Sequence, residues 1–317
     1  MRRPAFIVLA VAFAFANASV TSTASTESPD ALTSRITHDL PGLRAHGIAM
    51  IAPEADGAVV LHVTGDVNTA RRDLTARYGE RVRVVPGQAF RPLAGPPCLA
   101  QRTHCGPVMR GGLELIGDTL VTCTSGVEAR LNRNGEIGVI TAGHCFRNGQ
   151  VVTHGGMLLG PAGPSTFSGG VDGAFVTHSL GAPTFLPSNW VYYSGSDREH
   201  AITAVQSMAA EKVGQSVCRT GRTTSLQCGT ITSVNATIVI GAVTLTNQRV
   251  VNVCALPGDS GGPFLSGGTF RGIVSAGNYV GSGSSASCHG TPFTTYSPAE
   301  RIQSVLGVTV LTSSPLF

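Results

Sequence analysis

Three short segments of the sequence carry residue types that can act together in nucleophilic catalysis. A serine hydroxyl is a weak nucleophile at neutral pH, so it needs a neighbouring base to accept its proton. The base in turn needs a partner that fixes its tautomer. A histidine, an aspartate and a serine that could meet these needs occur in the segments TAGHC (Thr141–Cys145), GVDGAFV (Gly170–Val176) and GDSGGP (Gly258–Pro263).

The glycines around Ser260 add a second requirement of acyl transfer, which is backbone N–H donors close to the substrate. The alternative for each polar residue is structural: His144 as a buried core histidine and Ser260 as a turn serine. Two other aspartates compete with Asp172. Asp197 lies in a polar stretch typical of an exposed loop and Asp259 adjoins Ser260, whereas Asp172 leads into an apolar run. We therefore favour Asp172 as the residue buried beside an imidazole.

These segments resemble the chymotrypsin-like serine peptidases, in the chain order His, Asp, Ser. The resemblance covers most of residues 106–310 and is to the secreted bacterial branch that includes the streptogrisins and α-lytic protease. The segments CRTGRTT (Cys218–Thr224) and CALPGDS (Cys254–Ser260) are typical of that branch. The resemblance implies His144 as general base, Asp172 as its orienting carboxylate and Ser260 as nucleophile. It also implies an oxyanion hole at the N–H groups of Gly258 and Ser260.

The resemblance further implies an all-β fold, with the triad between two six-stranded antiparallel β-barrels. It pairs Asp259 with the internal Arg219, because a buried carboxylate needs a cationic partner; the alternative for Arg219 is a surface charge. The eight cysteines of an exported chain indicate disulfides, although their number permits many pairings. The resemblance implies the pairs Cys123–Cys145, Cys218–Cys228 and Cys254–Cys288, and leaves a local Cys98–Cys105 pair as the remainder.

The same resemblance places Ser275, Ala276 and Gly277 on the strand that pairs with substrate backbone and walls the first specificity pocket. The stretch 241–258 contains no acid, which disfavours cleavage after Lys or Arg, and Val274 sits where glutamate-specific relatives have a histidine. We therefore expect an endopeptidase with an apolar or aromatic preference, without a metal or an organic cofactor. The alternatives are a non-catalytic homologue that serves as a binding module and an esterase of the same fold.

Composition independently favours many short strands joined by tight turns. Of the 317 residues 13% are charged and 42% hydrophobic, with 40 glycines and 18 prolines, which argues against a disordered chain and against a helical bundle. Strand patterns occur at Ile137–Thr141, Ala174–Thr177, Gly229–Leu245 and Thr269–Ser275. Near the end, Ser297–Glu300 has the pattern of a capping box, followed by Ile302, Val305 and Leu306 on one face of a predicted C-terminal helix.

The net charge of +4 does not indicate a nucleic-acid partner, because no stretch of the sequence forms a Lys/Arg stripe. Arg2 and Arg3 precede an apolar run, Ala5–Ala16, that ends in Ala-Asn-Ala. This is the pattern of a secretory signal peptide, and the run is too short for the ~20 residues that span a bilayer. We predict a signal peptide over 1–18 and a secreted, extracellular, monomeric protein that does not associate with membranes after the signal is removed.

The composition changes near residue 97, after the Pro- and Gly-rich segment 92–97. Residues 19–97 indicate a small α+β unit, with strands at Ala58–Thr64 and Arg81–Val85 and a helix over 68–78 that Asn68 caps. This block contains no catalytic constellation and resembles the pro-segment of the bacterial peptidases, which implies a zymogen. The alternative is an accessory domain that stays attached. The peptidase domain is predicted over 98–317, with its own pro-segment and protein or peptide substrates as partners.

Overall fold

The computed structural model describes residues 27–89, 91–92, 108–178, 185–193 and 199–314. The predicted signal peptide and the predicted Cys98–Cys105 pair lie outside these residues. Below, residues 27–92 are called the N-terminal unit and residues 108–314 the C-terminal unit. No helix in the described part of the chain is both long and apolar enough to cross a membrane.

The N-terminal unit is an α+β arrangement, as predicted. Its apolar helix faces, including Leu32, Ile36 and Leu74, pack with strand residues in one core. Strand β1 is antiparallel to β2, and β2 is parallel to β3. In chain order the elements are α1 (Pro29–Asp39), a 3-10 helix (Leu40–His46), β1 (Ile48–Pro53), β2 (Val59–Val63), α2 (Val67–Tyr78), β3 (Val82–Pro86) and β4 (Arg91–Pro92).

The predicted cap of α2 was wrong by two residues. The helix begins at Val67, and the side chain of Asp66 accepts hydrogen bonds from the backbone N–H groups of Asn68 and Thr69. A carboxylate at this position accepts hydrogen bonds from two of the amides that have no partner within the helix. Its negative charge also interacts favourably with the positive end of the helix dipole. Asn68 therefore lies inside the first turn.

The C-terminal unit consists mostly of strands, with one α-helix and two short 3-10 helices among the described residues. In chain order its elements are β5 (Glu114–Gly117), β6 (Thr122–Thr124), β7 (Glu128–Leu131), β8 (Ile137–Thr141), β9 (Val151–His154), β10 (Met157–Ser168), β11 (Val171–Thr177), β12 (Trp190–Tyr192), β13 (Glu199–Ala201), β14 (Ala204–Val205), a 3-10 helix (Met208–Ala210), β15 (Ser216–Gly221), β16 (Ser225–Ile240), β17 (Val243–Val251), β18 (Pro263–Ser266), β19 (Thr269–Gly277), β20 (Tyr279–Val280), a 3-10 helix (Gly283–Ser285), β21 (Ser287–Cys288), β22 (Thr294–Pro298), α3 (Ala299–Leu306) and β23 (Val308–Val310).

Most of the described strands form two curled sheets, which confirms the all-β prediction; β12 with β13 and β20 with β21 form two small two-stranded sheets. The first has eight strands in the order β23-β7-β8-β11-β10-β9-β5-β6. Only residues 125–127 separate β6 from β7, although these strands lie towards opposite ends of that order. The sheet must therefore curl until its ends approach each other, as in a barrel. This sheet has eight strands rather than the six expected of a barrel, because β6 and β7 are separate strands and β23 pairs at the edge of the sheet.

The second sheet has eleven strands and contains part of the N-terminal unit. Its main path is β15-β18-β19-β22-β17-β16-β1-β2-β3, with β14 and β4 pairing at β19. The strands of the C-terminal unit on the main path are the six expected of a barrel. Strands β1, β2 and β3 join this path because β1 pairs with the long strand β16, at Met50 opposite Ile238.

The C-terminal helix is present as predicted, but its start differs from the expected capping box. Helix α3 has Pro298 at its N-cap position and no side-chain capping bond. The Ser297 hydroxyl instead accepts a hydrogen bond from the backbone N–H of Asp172. Ile302 and Leu306 are buried as predicted, whereas Val305 is 47% exposed, so its assignment to the apolar face was wrong. Val305 lies three residues from Ile302, but it falls at the edge of the buried stripe.

Candidate active site

The three candidate catalytic side chains meet between the two sheets. Nε2 of His144 lies 2.9 Å from Oγ of Ser260, and Nδ1 of His144 lies 2.7 Å from Oδ2 of Asp172. Both distances are within hydrogen-bonding range. The Asp172 carboxylate is fully buried, and the side chain of His144 is only 4% exposed. A serine, an imidazole and a shielded carboxylate are therefore connected in series.

Strand pairing explains how residues so distant in sequence come together. Strand β8 pairs antiparallel with β11, with Thr141 opposite Ala174. His144 follows Thr141 and Asp172 precedes Ala174, so the two residues lie at the same end of this strand pair. Ser260 lies in the turn between β17 and β18 in the other sheet. The turn is tied to the first sheet because the backbone N–H of Thr124 donates to the Ser260 carbonyl, at 2.8 Å. Each sheet thus supplies one side of the site.

The Asp172 carboxylate is held by donors from three directions. It accepts hydrogen bonds from the backbone N–H of His144 at 2.9 Å and from the Ser275 hydroxyl at 2.6 Å, in addition to the imidazole. Ser275 was predicted to be on the substrate-binding strand, and the structure also gives its side chain this second contact. Such donors orient the carboxylate towards the imidazole before any substrate binds.

Two residues behind Asp172 were missed by the sequence analysis. The Ser297 hydroxyl, which accepts from the Asp172 N–H, donates to the amide oxygen of Gln248 at 3.1 Å. The Gln248 amide nitrogen donates to the carbonyl of Gly170. Hydrogen bonds thus link polar groups of Asp172, Ser297, Gln248 and Gly170, which are far apart in sequence. The sequence singled out only Ser297 of the two residues behind Asp172, as part of a capping pattern.

The backbone around Ser260 has the shape that the glycine pattern suggested. Gly258 has φ +100° and Gly261 has φ +84°, values that favour glycine. A Cβ atom at Gly261 would lie 2.2 Å from the Thr141 hydroxyl, so the turn packs tightly against β8. Within the described residues, no hydrogen bond uses the backbone N–H of Gly258 or of Ser260. Both predicted oxyanion donors are therefore unoccupied by other groups of that part of the protein.

Arg219 and Asp259 form a buried ion pair next to this turn. Nη1 of Arg219 lies 3.4 Å from Oδ2 of Asp259, and both side chains are fully buried. Burial lowers the pKa of Arg219, and the charge of Asp259 opposes that shift. Asp259 also accepts from the backbone N–H groups of Leu256, Thr223 and Thr224. The surface-charge alternative for Arg219 is therefore wrong.

The three disulfide pairs implied by the resemblance are present: Cys123–Cys145, Cys218–Cys228 and Cys254–Cys288. The first of them adjoins His144, and potential ligand atoms of its two cysteines and His144 lie within 4.8 Å of one another. This cluster does not offer a metal site, because both sulfurs are in a disulfide and both imidazole nitrogens contact Asp172 or Ser260.

The walls of the expected first specificity pocket converge at Gly277. A Cβ atom there would lie 3.2 Å from the Phe293 carbonyl and 3.4 Å from the Ala255 carbonyl. Asn278 joins two of these walls, because its N–H donates to the Phe293 carbonyl and its side-chain oxygen accepts from the Phe293 N–H. The Thr294 hydroxyl donates to the carbonyl of Val253. The described walls therefore carry apolar or uncharged polar side chains.

The N-terminal unit reaches this pocket with strand β4. It pairs antiparallel with β19, with Arg91 opposite Gly277 and Pro92 opposite Ala276. His62 of the same unit makes an edge contact with the Phe293 ring, at a centroid distance of 5.9 Å. Burial lowers the pKa of His62. The backbone edge that the resemblance assigns to substrate is thus occupied by the chain's own N-terminal unit.

The geometry described above agrees with comparisons to known proteins. The sequence model of the trypsin family matches residues 133–299. Streptogrisin-C of Streptomyces griseus is 30% identical over 236 residues, which are 72% of this chain and 48% of that protein. Streptogrisin-A of the same organism is 32% identical over 206 residues, covering 65% of this chain and 62% of the relative. The fold and the site define a double β-barrel architecture with a serine, a histidine and an aspartate between the two sheets, and the chain belongs to the trypsin family.

A solved structure supports the same assignment. Protease A from Thermobifida fusca has a TM-score of 0.54 and 28% identity, over 65% of this chain and 100% of that chain. The chain spans about half to three-fifths of the length of the two streptogrisins.

Proposed function

We propose that this protein is a secreted serine endopeptidase that cleaves peptide bonds through an acyl-enzyme on Ser260. The observation that carries this proposal is the continuous series of contacts from the Ser260 hydroxyl to the His144 imidazole and on to the buried Asp172 carboxylate. Nucleophile, base and orienting group are all within hydrogen-bond reach, which is the arrangement that acyl transfer requires. Family membership supports the same reaction.

In this mechanism Oγ of Ser260 attacks the peptide carbonyl while Nε2 of His144 accepts the serine proton. The negative charge that develops on the carbonyl oxygen is stabilised by the N–H groups of Gly258 and Ser260. His144 then gives its proton to the leaving amine, and Asp172 stabilises the imidazolium and keeps the imidazole in the correct tautomer. A water molecule attacks the acyl group on Ser260 in the second half of the reaction, with His144 again acting as the base.

Substrate recognition follows from strand pairing. Ser275, Ala276 and Gly277 at the end of β19 would form an antiparallel pair with an extended peptide. The pairing of β4 with Ala276 and Gly277 supports this role, because it is also an antiparallel pairing at this edge of β19. The uncharged walls near Val253 and Phe293 support an apolar or aromatic residue before the cleaved bond. A buried pocket without a counter-charge disfavours a charged substrate side chain.

We also propose that residues 19–97 are a pro-segment that inhibits the peptidase until it is cut. Two observations support this. Strand β4 occupies the edge of β19, and Ser260 is fully buried in the chain as described. Residues 1–18 would direct export and be removed first. The N-terminal unit would then be the first partner of the active site, and external proteins or peptides would follow after its release.

The test uses the secreted, processed protein and a Ser260→Ala variant as the control. A fluorophosphonate probe should label the processed protein, and peptide mapping should place the label on Ser260. Amide hydrolysis of peptide anilides should depend on Ser260, and an apolar residue before the cleaved bond should be preferred. Absence of both labelling and hydrolysis would support a binding module instead. Hydrolysis of esters without measurable hydrolysis of amides would support an esterase.

A further inference from the structure

A threonine hydroxyl holds the peptide group that carries one of the proposed oxyanion donors. Oγ1 of Thr223 donates to the carbonyl oxygen of Pro257 at 2.6 Å. That carbonyl and the N–H of Gly258 belong to one planar peptide group and point in opposite directions. Fixing the carbonyl therefore fixes the direction of the Gly258 N–H.

The local backbone explains why such an anchor is needed. The ring of Pro257 restricts its own φ, so the remaining freedom of this peptide group is rotation about ψ of Pro257 and φ of Gly258. Gly258 has φ +100° and no Cβ to oppose a flip of the peptide. A flipped peptide would present a carbonyl oxygen where the N–H should stabilise negative charge. A Cβ at Gly258 would lie 2.4 Å from the Thr223 hydroxyl, which shows how closely the two pack.

The position of Thr223 is itself set by the buried ion pair. Its backbone N–H donates to Oδ1 of Asp259 at 2.8 Å, and Asp259 is paired with Arg219. The Thr223 hydroxyl also accepts a hydrogen bond from Nη1 of the neighbouring Arg222 at 3.3 Å, and the residue is exposed to solvent. The contacts thus run from the Arg219 charge to Asp259, on to Thr223 and then to the Pro257–Gly258 peptide. This series connects a structural ion pair to the oxyanion hole.

We propose that Thr223 is a positioning residue for the oxyanion hole, acting through its hydrogen bond to the Pro257 carbonyl. This inference rests on the proposed function, because it assumes that the Gly258 N–H stabilises the transition state. An interaction used mainly in the transition state should affect kcat and leave KM almost unchanged. Loss of a whole oxyanion donor lowers kcat about a hundredfold to a thousandfold. The fall in kcat when a donor is only less firmly held should therefore be smaller than this.

The experiment compares Thr223→Val, which keeps the shape but removes the hydroxyl, with Thr223→Ser, which keeps the hydroxyl. Thr223→Ala serves as a second hydroxyl-free variant in case valine disturbs folding. The matched control is Thr153→Val, which removes a threonine hydroxyl bonded to a strand carbonyl away from this turn. We expect kcat on a peptide anilide to fall about tenfold in the valine and alanine variants. KM should stay within about twofold, and the serine and control variants should match the parent protein within the same factor.

Inhibitor binding separates positioning from a general structural effect. A peptide boronate forms a tetrahedral adduct on Ser260 that places an oxygen in the oxyanion hole, whereas a peptide amide of the same sequence does not. Boronate affinity should fall by about the same factor as kcat in Thr223→Val, and amide affinity should not change. Unchanged kcat and boronate affinity in the hydroxyl-free variants would overturn the inference. Equal losses for both ligands, or failure of serine to restore activity, would also overturn it. An inactive parent protein would overturn the proposed function as well.

Discussion

Replacing Arg219 by methionine should destabilise the protein strongly, because it leaves the Asp259 carboxylate buried without its counter-charge. Both side chains are fully buried. Removing one member of such a pair costs about 3–5 kcal/mol. Asp259 would retain hydrogen bonds from the N–H groups of Leu256, Thr223 and Thr224 and from the Thr224 hydroxyl. We therefore expect the lower end of that range, about 3 kcal/mol.

The assay is guanidinium unfolding of the full chain in a Ser260→Ala background, which prevents self-digestion. It includes Arg219→Met, Asp259→Asn and the double variant. If the two charges interact, the double variant should be more stable than the sum of the single effects predicts, with a coupling of about 2 kcal/mol. Additive effects, or a loss below about 0.5 kcal/mol in Arg219→Met, would refute the argument that Arg219 compensates the buried charge.

Three further predictions concern catalysis and maturation. Asp172→Asn should lower kcat about 10⁴-fold with little change in fold, because an amide nitrogen facing Nδ1 of His144 cannot accept a hydrogen bond from Nδ1–H and so favours the wrong tautomer; steady-state kinetics measure kcat and a thermal melt measures stability. The N-terminal unit, which we propose as a pro-segment, should dissociate more readily as the pH falls below the usual histidine pKa of 6.5, since burial lowers the pKa of the half-buried His62 and protonation favours its exposed state. Release of activity across pH tests this, and His62→Phe should abolish the dependence. Maturation should cut after Leu93, the apolar residue that follows Pro92 of β4 in the boundary segment 92–97, so that the mature chain begins at Ala94; N-terminal sequencing that finds any other first residue would contradict this.

The residues brought together at the site could be predicted from sequence because their motifs are local. His144 and Ser260 each lie within a short string of small residues whose spacing reflects tight backbone packing. The structure shows the reason at Gly261, where no side chain would fit beside Thr141. Strand assignments such as Ile137–Thr141 also agree with the structure, because a short, continuously apolar run rich in β-branched residues is typical of a strand that is buried on both faces.

Contacts between distant segments could not be predicted in this way. Ser297 matched a helix-capping pattern, but its hydroxyl is used by Asp172, 125 positions earlier in the chain. Glu114 is paired with Arg222 across 108 positions, and although Arg222 lies in the segment Cys218–Thr224, nothing in either local sequence indicates the other residue as its partner. The pairing of β4 with β19 likewise depends on docking of the N-terminal unit. Local patterns reflect propensity and burial, whereas tertiary packing determines which polar groups meet.

Acylation of Ser260 during turnover can be observed by stopping the reaction in acid, which preserves the ester between substrate and enzyme. The processed protein is mixed with excess nitrophenyl ester of a peptide that ends in an apolar residue, quenched in acid and analysed by intact mass and peptide mapping. We expect a covalent adduct with the mass of the acyl group, located on Ser260 and absent in Ser260→Ala. Turnover with the acyl group on another residue, or undiminished turnover by Ser260→Ala, would contradict it.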